Sequence, residues 1–429
     1  MERLSIQKLG PIEECSVDIK KYTVLTGPQA SGKSTAAKSV FFFKNLKNLL
    51  YGIVIKQKTG VTADTTDTLA MTMKNRFMRE IRKTFIQTFG TTWSMNPAMK
   101  TEYRFSEEKV VSIGLKNSDT QPNFLFTEIS SALEDGLQRV EGMIQESSLA
   151  DLRKECFSLF EDESEVIYIP AGRSMITLLS SQINYLYSVM DDNQRSSLDY
   201  CTQNYLERLL RMKDLFQNSP EEMVADRKAT SDRKMNLEAL SLAARYMRDI
   251  LKGEYRSTHG EDRLVMPDGQ YVKINFASSG QQEAVWILNV LFYQMLAGKK
   301  TYFIIEEPES HLYPETQKAI TEFISLARQF DCGIMLTTHS PYVLGTLNNL
   351  LYASRISKSV EIEQLEKIIN PLVWIDYDDL GAHYFQNGRN VTCADDEMKS
   401  IENEVIDGAS EIINRDFERM AALKEGVCV

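Results

Sequence analysis

Apolar and polar positions alternate along this chain in two different rhythms. From Arg3 to Gly27, RLSIQKLGPIEECSVDIKKYTVLTG carries short β-branched segments broken at Gly10-Pro11, which predicts strands. The next stretch, STAAKSVFFFKNLKNLLYG, changes to helical spacing. MKTEYRFSEEKVVSIGLKNS predicts a hairpin with Glu107-Glu108 near its turn, and helical patterns follow over about 128–160. EVIYIPAGRS predicts a buried strand ending at Pro170. Residues 175–253 are helical and charge-mixed, with a break at NSPEEM. DRLVMPDGQYVKINF predicts a second hairpin, turning at Asp268-Gly269. ASSGQQ then opens a long apolar helix, followed by the strand TYFII, a helix and the strand GIMLTT. Beyond Arg355 the pattern predicts a short β-region at PLVWIDYDDL and a charged helix over about 394–424. Two strand–helix blocks thus flank a helical insertion, which predicts an α/β core built from both ends of the chain.

The first block carries chemistry. Gly27, Pro28, Gln29, Ala30, Ser31, Gly32, Lys33 and Ser34 satisfy GxxxxGK[ST], between a predicted strand and a predicted helix. In such a loop successive backbone N–H groups face a phosphate, and the helix N-terminus adds partial positive charge. Lys33 would reach the β- and γ-phosphates of ATP; Ser34 would hold Mg²⁺, and Thr35 continues the nucleotide-binding turn.

The second block delivers Glu306-Glu307 at the end of an apolar strand, where buried carboxylates are costly unless something uses them. Glu306 is expected in the Mg²⁺ shell. Glu307, opposite it on the pleat, is expected to polarise the attacking water. Glu in place of the commoner Asp at the first position favours contact through a metal-bound water. His339 follows the next strand, and two readings stand: a sensor of the γ-phosphate, or a turn histidine capping a helix. His311 is either a contact to an opposite subunit or a surface turn. The site set is therefore Lys33, Glu307 and His339 for catalysis, and Ser34 and Glu306 for the metal.

Composition narrows the setting. A net charge of −11 opposes a surface that is basic throughout. The six cysteines have no metal-ligand spacing and read as reduced thiols. AVWILNVLFYQMLAG is too short for a membrane span and contains Asn289 and Gln294. No secretory pattern opens the chain, so a cytoplasmic location without membrane partners is expected.

Taken in order, the phosphate loop, SSGQQ, IIEEPESHLYP and LTTHSPYVL resemble the ABC-type ATPase heads of the SMC/RecF group. The set is most similar to the OLD-family ATPases, in which EEPE-x-H-L-x-P and THSP are typical. Residues 1–50 and 270–350 carry the resemblance. It implies an ABC-type head, a mixed phosphate-loop sheet with an antiparallel β-subdomain and a helical insertion. The implied segments are 1–52, 53–165, 166–255, 256–355 and 356–429: an N-terminal lobe, a β-hairpin and helical subdomain, a strand–loop with insertion, a C-terminal lobe and a tail. It also implies a homo-oligomer, a dimer or a multiple of dimers, in which two heads sandwich ATP and Mg²⁺. One head supplies the phosphate loop, Glu306, Glu307 and His339. The other supplies the signature Ser278, Ser279, Gly280 and Gln281. Ala277 and Ser279 depart from the transporter signature LSGGQ and argue against a transporter subunit. IPAGRS, with Arg173, looks like a family strand–loop whose role is either phosphate contact or strand-end packing.

OLD nucleases add a Toprim domain with repeated acidic strand ends. Here Asp376, Asp378, Asp379 and Asp395-Asp396-Glu397 follow no such repeat, and the last run is expected to cap the final helix. The expectation is a slow, regulated ATPase whose nuclease or toxin effector is a separate protein, resembling the ATPase subunits of the PARIS and Septu anti-phage systems, with a phage protein as trigger. PARIS is nearer in size and compact tail. The alternative is a RecF/SMC-like ATPase clamping duplex DNA through the helix at 38–58 and KNRFMREIRK; a solvated helix face is the competing reading of those lysines and arginines. Tyr205, Leu206, Leu209, Leu210, Met212 and Leu215 of the insertion face either a subunit contact or the insertion itself.

Overall fold

A computed structural model describes residues 2–60, 71–116, 123–178, 198–212, 215–230, 236–258 and 261–402, together with 414, 415, 418 and 420. The core is an eleven-stranded mixed sheet. Its antiparallel wing contains β1 (Arg3–Leu9), β2 (Ile12–Asp18), β4 (Lys100–Arg104), β5 (Val110–Lys116) and β6 (Phe124–Ile129). Its parallel half contains β3 (Tyr22–Thr26), β7 (Glu165–Ile169), β11 (Thr301–Glu306), β12 (Gly333–Thr338) and β13 (Leu380–Gln386). The order is β6-β5-β4-β1-β2-β14-β13-β3-β12-β11-β7, with β14 at Arg389–Thr392. A separate three-stranded sheet is formed by β8 (Glu254–Thr258), β9 (Glu261–Val265) and β10 (Tyr271–Lys273).

Burial follows this division. Every residue of β3 and β11 is buried, as expected of parallel strands covered on both faces. One face meets α1 (Lys33–Lys44), α2 (Leu46–Thr59), α3 (Met73–Phe89), α4 (Ser131–Met143) and α5 (Leu149–Ser158), through Leu25, Ile304 and Met335 of the sheet. After α6 (Arg173–Leu178), α7 (Tyr200–Met212) and α8 (Pro220–Thr230), the other face meets α9 (Leu237–Leu251), α10 (Ser279–Ala297), α11 (Pro314–Leu326) and α12 (Pro341–Ile356). Its sheet contacts are Val24, Phe303, Ile305 and Leu336. The result is a three-layer α/β fold; the α/β class is as the pattern predicts, while β4 to β7 show that the middle of the chain contributes strands to the core as well as its two ends.

Within the insertion, Tyr205, Leu209 and Met212 are buried in this core, Leu206 and Leu210 are half-buried, and Leu215 is exposed. On α3, Phe77, Ile81 and Phe85 pack inward, Lys74 is paired with Glu134, and Arg79 lies beside Glu80.

Two expectations for the tail are corrected. PLVWIDYDDL is not a strand: Pro371–Val373 and Tyr377–Asp379 form 3₁₀ turns, because Asn370 and Asp376 accept from the N–H two residues ahead. Nor does the acidic run start a helix. It lies in a short hairpin of β15 (Ala394–Asp395) and β16 (Ser400–Ile401), with Asp395 accepting from Glu397 and Met398 N–H. Of the helix expected up to 424, the described residues 414, 415, 418 and 420 are helical, and most others lie outside the described residues. Five free cysteines are buried, and Cys428 lies outside the described residues. Among the described residues no helix is long and apolar enough to cross a membrane.

Candidate nucleotide site

The phosphate loop follows from close packing on two sides. Gly27 has φ +131°, and a Cβ there would lie 2.1 Å from the Phe385 carbonyl oxygen of β13. Gly32 has φ +110°, and its Cβ would lie 2.6 Å from Ile12 at the start of β2. The loop therefore has no room for side chains at these points and turns its outer side, Pro28, Gln29 and Ala30, to solvent. Ala30 is itself left-handed. Gly32 caps α1 without a side chain, and the first turn of α1 has no acidic residue. The free N–H groups at this end suit an anion. Ser34 is exposed at the same end and Thr35 is half-buried. The buried Ser31 hydroxyl has no hydrogen-bond partner in the chain.

Lys33 is buried and donates to the Gly27 and Pro28 carbonyls, both at 2.8 Å. Burial pulls its pKa below the usual lysine value, and the charges of Glu307, Glu309 and Glu306 oppose that shift. The parallel order β3-β12-β11 puts the phosphate loop and the carboxylates that follow β11 at the same end of the sheet, one strand apart.

Those carboxylates have different environments. Glu306 is buried; its Oε2 accepts a long 3.4 Å contact from Ala171 N–H, and its Oε1 has no partner. Glu307 lies one residue past the strand at φ +42°, so a left-handed turn rather than strand alternation sets its direction. Its N–H donates to the Thr337 carbonyl at 2.9 Å, and Ser310 Oγ lies 3.4 Å from its carboxylate. An orphaned buried carboxylate oxygen beside a phosphate loop fits a hard cation. Among the described residues no group of three or more His, Cys, Asp and Glu could hold a metal ion. A cation here would therefore take few protein ligands, which is the habit of Mg²⁺ bound to phosphates and water.

A third carboxylate, Glu309, was present in EEPES but not assigned a role from sequence. It is buried and accepts from Thr338 Oγ1 at 2.7 Å and from His339 N–H at 2.9 Å. The His339 ring, half-exposed, has Nδ1 3.5 Å from Glu309 and 3.8 Å from Glu307. The cap of α12 is Ser340, which accepts from Tyr342 and Val343 N–H and donates to Gln317. The capping role considered for His339 thus belongs to its neighbour.

The signature segment starts α10. Ser278 is its N-cap, in a reciprocal capping box with Gln281. Gln281 also donates to the Leu251 carbonyl at 2.7 Å. Ser278 and Ser279 are exposed, and no acidic residue occupies the first turn. A Cβ on Gly280 would lie 2.7 Å from the His311 carbonyl oxygen, so the left-handed His311 turn of the same chain sits on this helix start. Among the described residues no hydrogen bond or ion pair joins Ser278, Ser279, Gly280 or Gln281 to the phosphate loop. Phe276 and Tyr313, adjoining the signature and the His311 turn, are exposed by 76% and 71%.

Of the two roles left open for Arg173, the geometry gives strand-end packing. Its side chain is fully buried and donates to the carbonyls of Pro170, Glu306, Glu307 and Glu283. Glu283, in α10, returns the contact by accepting from the N–H groups of Arg173 and Ser174. Sequence reasoning missed Glu283 because only the folded chain brings it to the start of α6.

A model of the AAA ATPase domain family matches residues 1–344. No curated protein matches the sequence. Solved structures similar to it include the SMC head domain from Thermotoga maritima, at 12% identity over 91% of this chain and 97% of that one, TM-score 0.36. Another is the Smc head domain with an extended coiled coil bound to the C-terminal domain of ScpA, derived from Pyrococcus furiosus. It shows 10% identity over 97% of this chain and 99% of that one, TM-score 0.40. A third is a dimeric ATP-binding cassette in a post-hydrolysis state bound to ADP and Pi, at 11% identity over 91% and 98%, TM-score 0.31.

Proposed function

The chain belongs to the AAA ATPase domain family, and from that premise we propose that two copies bind ATP and Mg²⁺ between them and hydrolyse ATP slowly, under the control of a partner. The observation that carries this reading is that the phosphate loop after β3 and the carboxylates after β11 lie at the same end of parallel strands separated by β12, while, among the described residues, the anion-suited start of α10 makes no hydrogen bond or ion pair with the phosphate loop. A helix start built for an anion but separate from the chain's own phosphate loop suits a phosphate held by a second copy.

In this reading the phosphate-loop N–H groups and Lys33 orient the triphosphate. Ser34 and Glu306 would hold Mg²⁺, which supplies charge neutralisation when bound. Glu307 accepts a proton from the attacking water. His339, braced by Glu309, donates towards the γ-phosphate. The signature Ser278, Ser279, Gly280 and Gln281 completes the shell on the partner copy's nucleotide, with the Ser279 hydroxyl and the N–H groups of Ser279 and Gly280 facing the phosphate and the Ser278–Gln281 capping box holding the turn. The test is turnover of wild type beside Glu307→Gln, with molecular mass measured at increasing ATP. Glu307→Gln should bind ATP normally, lose hydrolysis by ~10²–10³-fold and accumulate paired heads. Equal turnover rates would remove Glu307 from the chemistry.

The ATPase is proposed to govern a separately encoded effector, a nuclease or toxin, as in the PARIS-like systems whose architecture it resembles. The tail's acidic residues support this division of labour: Asp379 is held by Arg328 and Lys21, while Asp376 and Asp395 close local turns. Co-expression with the reading frame beside its gene tests it. ATP-sensitive co-purification and toxicity that depends on Glu307 are expected. Salt-sensitive duplex binding without such a partner would favour the DNA-clamping alternative.

A further inference from the structure

The start of α10 and the carboxylate strand of the same chain share one buried connector. Glu283 lies on the second turn of α10 and accepts from Arg173 N–H at 3.0 Å and Ser174 N–H at 2.9 Å. The Arg173 side chain reaches the Glu283 carboxylate at 3.2 Å and its carbonyl at 3.0 Å. The far end of the same guanidinium donates to Glu306 O at 2.7 Å and Glu307 O at 2.9 Å. Thr177, one turn on, donates to the Gln282 carbonyl at 2.8 Å, so α6 and α10 are fastened at a second point. A planar fork with fixed donor directions cannot keep all these acceptors if one of the two elements shifts alone.

What lies at the end of this connector matters. Glu307 is a non-glycine residue in the left-handed region, a conformation that persists only where its surroundings hold it. The holders are the Thr337 carbonyl, which accepts from the Glu307 N–H, and the Arg173 guanidinium and Ser310 N–H, which donate to its carbonyl. The carboxylate assigned to the attacking water is thus aimed by a backbone that Arg173 grips.

Resting on the paired-head reading above, we infer that Arg173 is a positioning residue that couples the two nucleotide sites. When the start of α10 engages the γ-phosphate on the partner copy, the helix carries Glu283 with it. Arg173 passes that shift to the Glu306–Glu307 backbone and so sets Glu307 for the ATP in its own chain. Each site is then made competent by occupancy of the other, and the coupling is reciprocal by thermodynamic necessity for the binding steps. The inference predicts positive cooperativity in ATP, with Arg173 and Glu283 as its carriers.

The experiment measures steady-state hydrolysis against ATP concentration at a protein concentration where heads pair, with binding of a fluorescent ATP analogue and melting temperature recorded in parallel. Wild type should give a Hill coefficient clearly above 1, towards the ceiling of ~2 set by two sites. Arg173→Lys keeps the charge opposite Glu283 but loses the fork. It should bring the Hill coefficient to ~1 and lower kcat by ~10-fold or more, with analogue affinity within ~2-fold. Glu283→Gln leaves the grip on Glu306 and Glu307 but loosens the link to α10, and should lose cooperativity with the smaller fall in kcat. If Arg173→Lys does not fold, Glu283→Gln decides the question. A residue that merely packs would reduce the active fraction, scaling kcat while leaving the Hill coefficient and KM unchanged; that outcome overturns the inference. A wild type that pairs and hydrolyses ATP without cooperativity also overturns it while leaving the ATPase reading intact. A wild type that neither pairs nor hydrolyses fails that earlier reading instead.

Discussion

Gly280 and Ser279 stand side by side in the signature, yet they are unequal probes of contact with a second copy. Gly280 backs onto the His311 carbonyl of its own chain, so any Cβ there disturbs the local turn first. Ser278 holds the capping box, and its loss to Ala costs about 1 kcal/mol of helix stability whatever happens between copies. Ser279 is exposed, and its side chain has no hydrogen bond to the rest of the described residues. Ser279→Arg is therefore expected to leave the melting temperature and ATP affinity of the isolated chain near wild type, while lowering hydrolysis by ~10-fold or more and preventing ATP-dependent pairing. Calorimetry, analogue binding and sedimentation on one preparation separate these effects. Full hydrolysis by Ser279→Arg would show that the signature does not act on a second copy. His339 offers a second residue-level test. Its ring faces Glu307 and Glu309, and only Glu309 is buried. Glu309→Gln keeps an acceptor for His339 N–H and Thr338 but removes the charge beside the ring. The expected result is a fall in kcat of ~10-fold with little change in ATP affinity.

At the scale of elements, the phosphate loop is shaped by the tail. β13 pairs in parallel with β3, and the turn after β13 docks on the β1–β2 turn, where Glu13 and Glu14 N–H donate to the Gly388 carbonyl at 2.8 and 3.1 Å. Gly388 has φ +74°, and a Cβ would lie 2.7 Å from the Pro11 carbonyl oxygen. Gly388→Val should lift this turn, cost about 1–3 kcal/mol in denaturant stability, and weaken ATP binding through the loosened wall at Phe385. A loss of stability with unchanged ATP affinity would separate the tail from the loop. The same element shows what the sequence could and could not disclose. The phosphate loop, Glu306-Glu307 and the strand before His339 were legible because local chemistry and strand–helix context define them. Leu380–Gln386 was not, because its place beside Tyr22–Thr26 depends on a pairing across most of the chain. PLVWIDYDDL drew the β assignment instead: its apolar residues look strand-like, but Asn370 and Asp376 bond to their own backbone and bend it. Glu283 and Glu309 were hidden for a related reason, and so was the choice between the two roles open for Arg173. Each is one ordinary charged residue until the fold places its partners around it.

At the scale of the whole molecule, a buried ion network fastens the N-terminal end of the chain to the helical layer, and it gives the stability a pH dependence. Lys44 reaches Glu2 at 2.8 Å and Asp162 at 3.3 Å, and Lys47 reaches Asp162 at 2.7 Å. Tyr103 donates to Glu2 at 2.7 Å. Burial pulls the Lys47 pKa down from 10.5 to about 8, against the attraction of Asp162, while the positive charge of Lys44 adds to the fall. Lys44 itself is held above the usual lysine value by Glu2 and Asp162 despite its burial, and Asp162 is held below the usual carboxylate range by the two lysines. For Lys47 the folded value lies below the unfolded one. Between about pH 8 and 10.5 the unfolded chain therefore binds a proton that the folded chain does not, so this group makes stability rise with pH, by at most ~1.4 kcal/mol per pH unit. The buried thiols of Cys15, Cys156, Cys332 and Cys393 act in the opposite direction. Burial pushes them from 9.0 to about 12, so they lower stability as pH rises through the range where the unfolded chain ionises. The interval from pH 8 to 9 is where the lysine term stands clearest. Lys47→Met leaves Asp162 paired with Lys44 and Ser164, so it removes the titration without stranding a charge. Over that interval the wild-type chain should gain ~0.5–1 kcal/mol relative to Lys47→Met in urea unfolding. Parallel pH profiles for the two proteins would show that Lys47 keeps its proton in the folded chain.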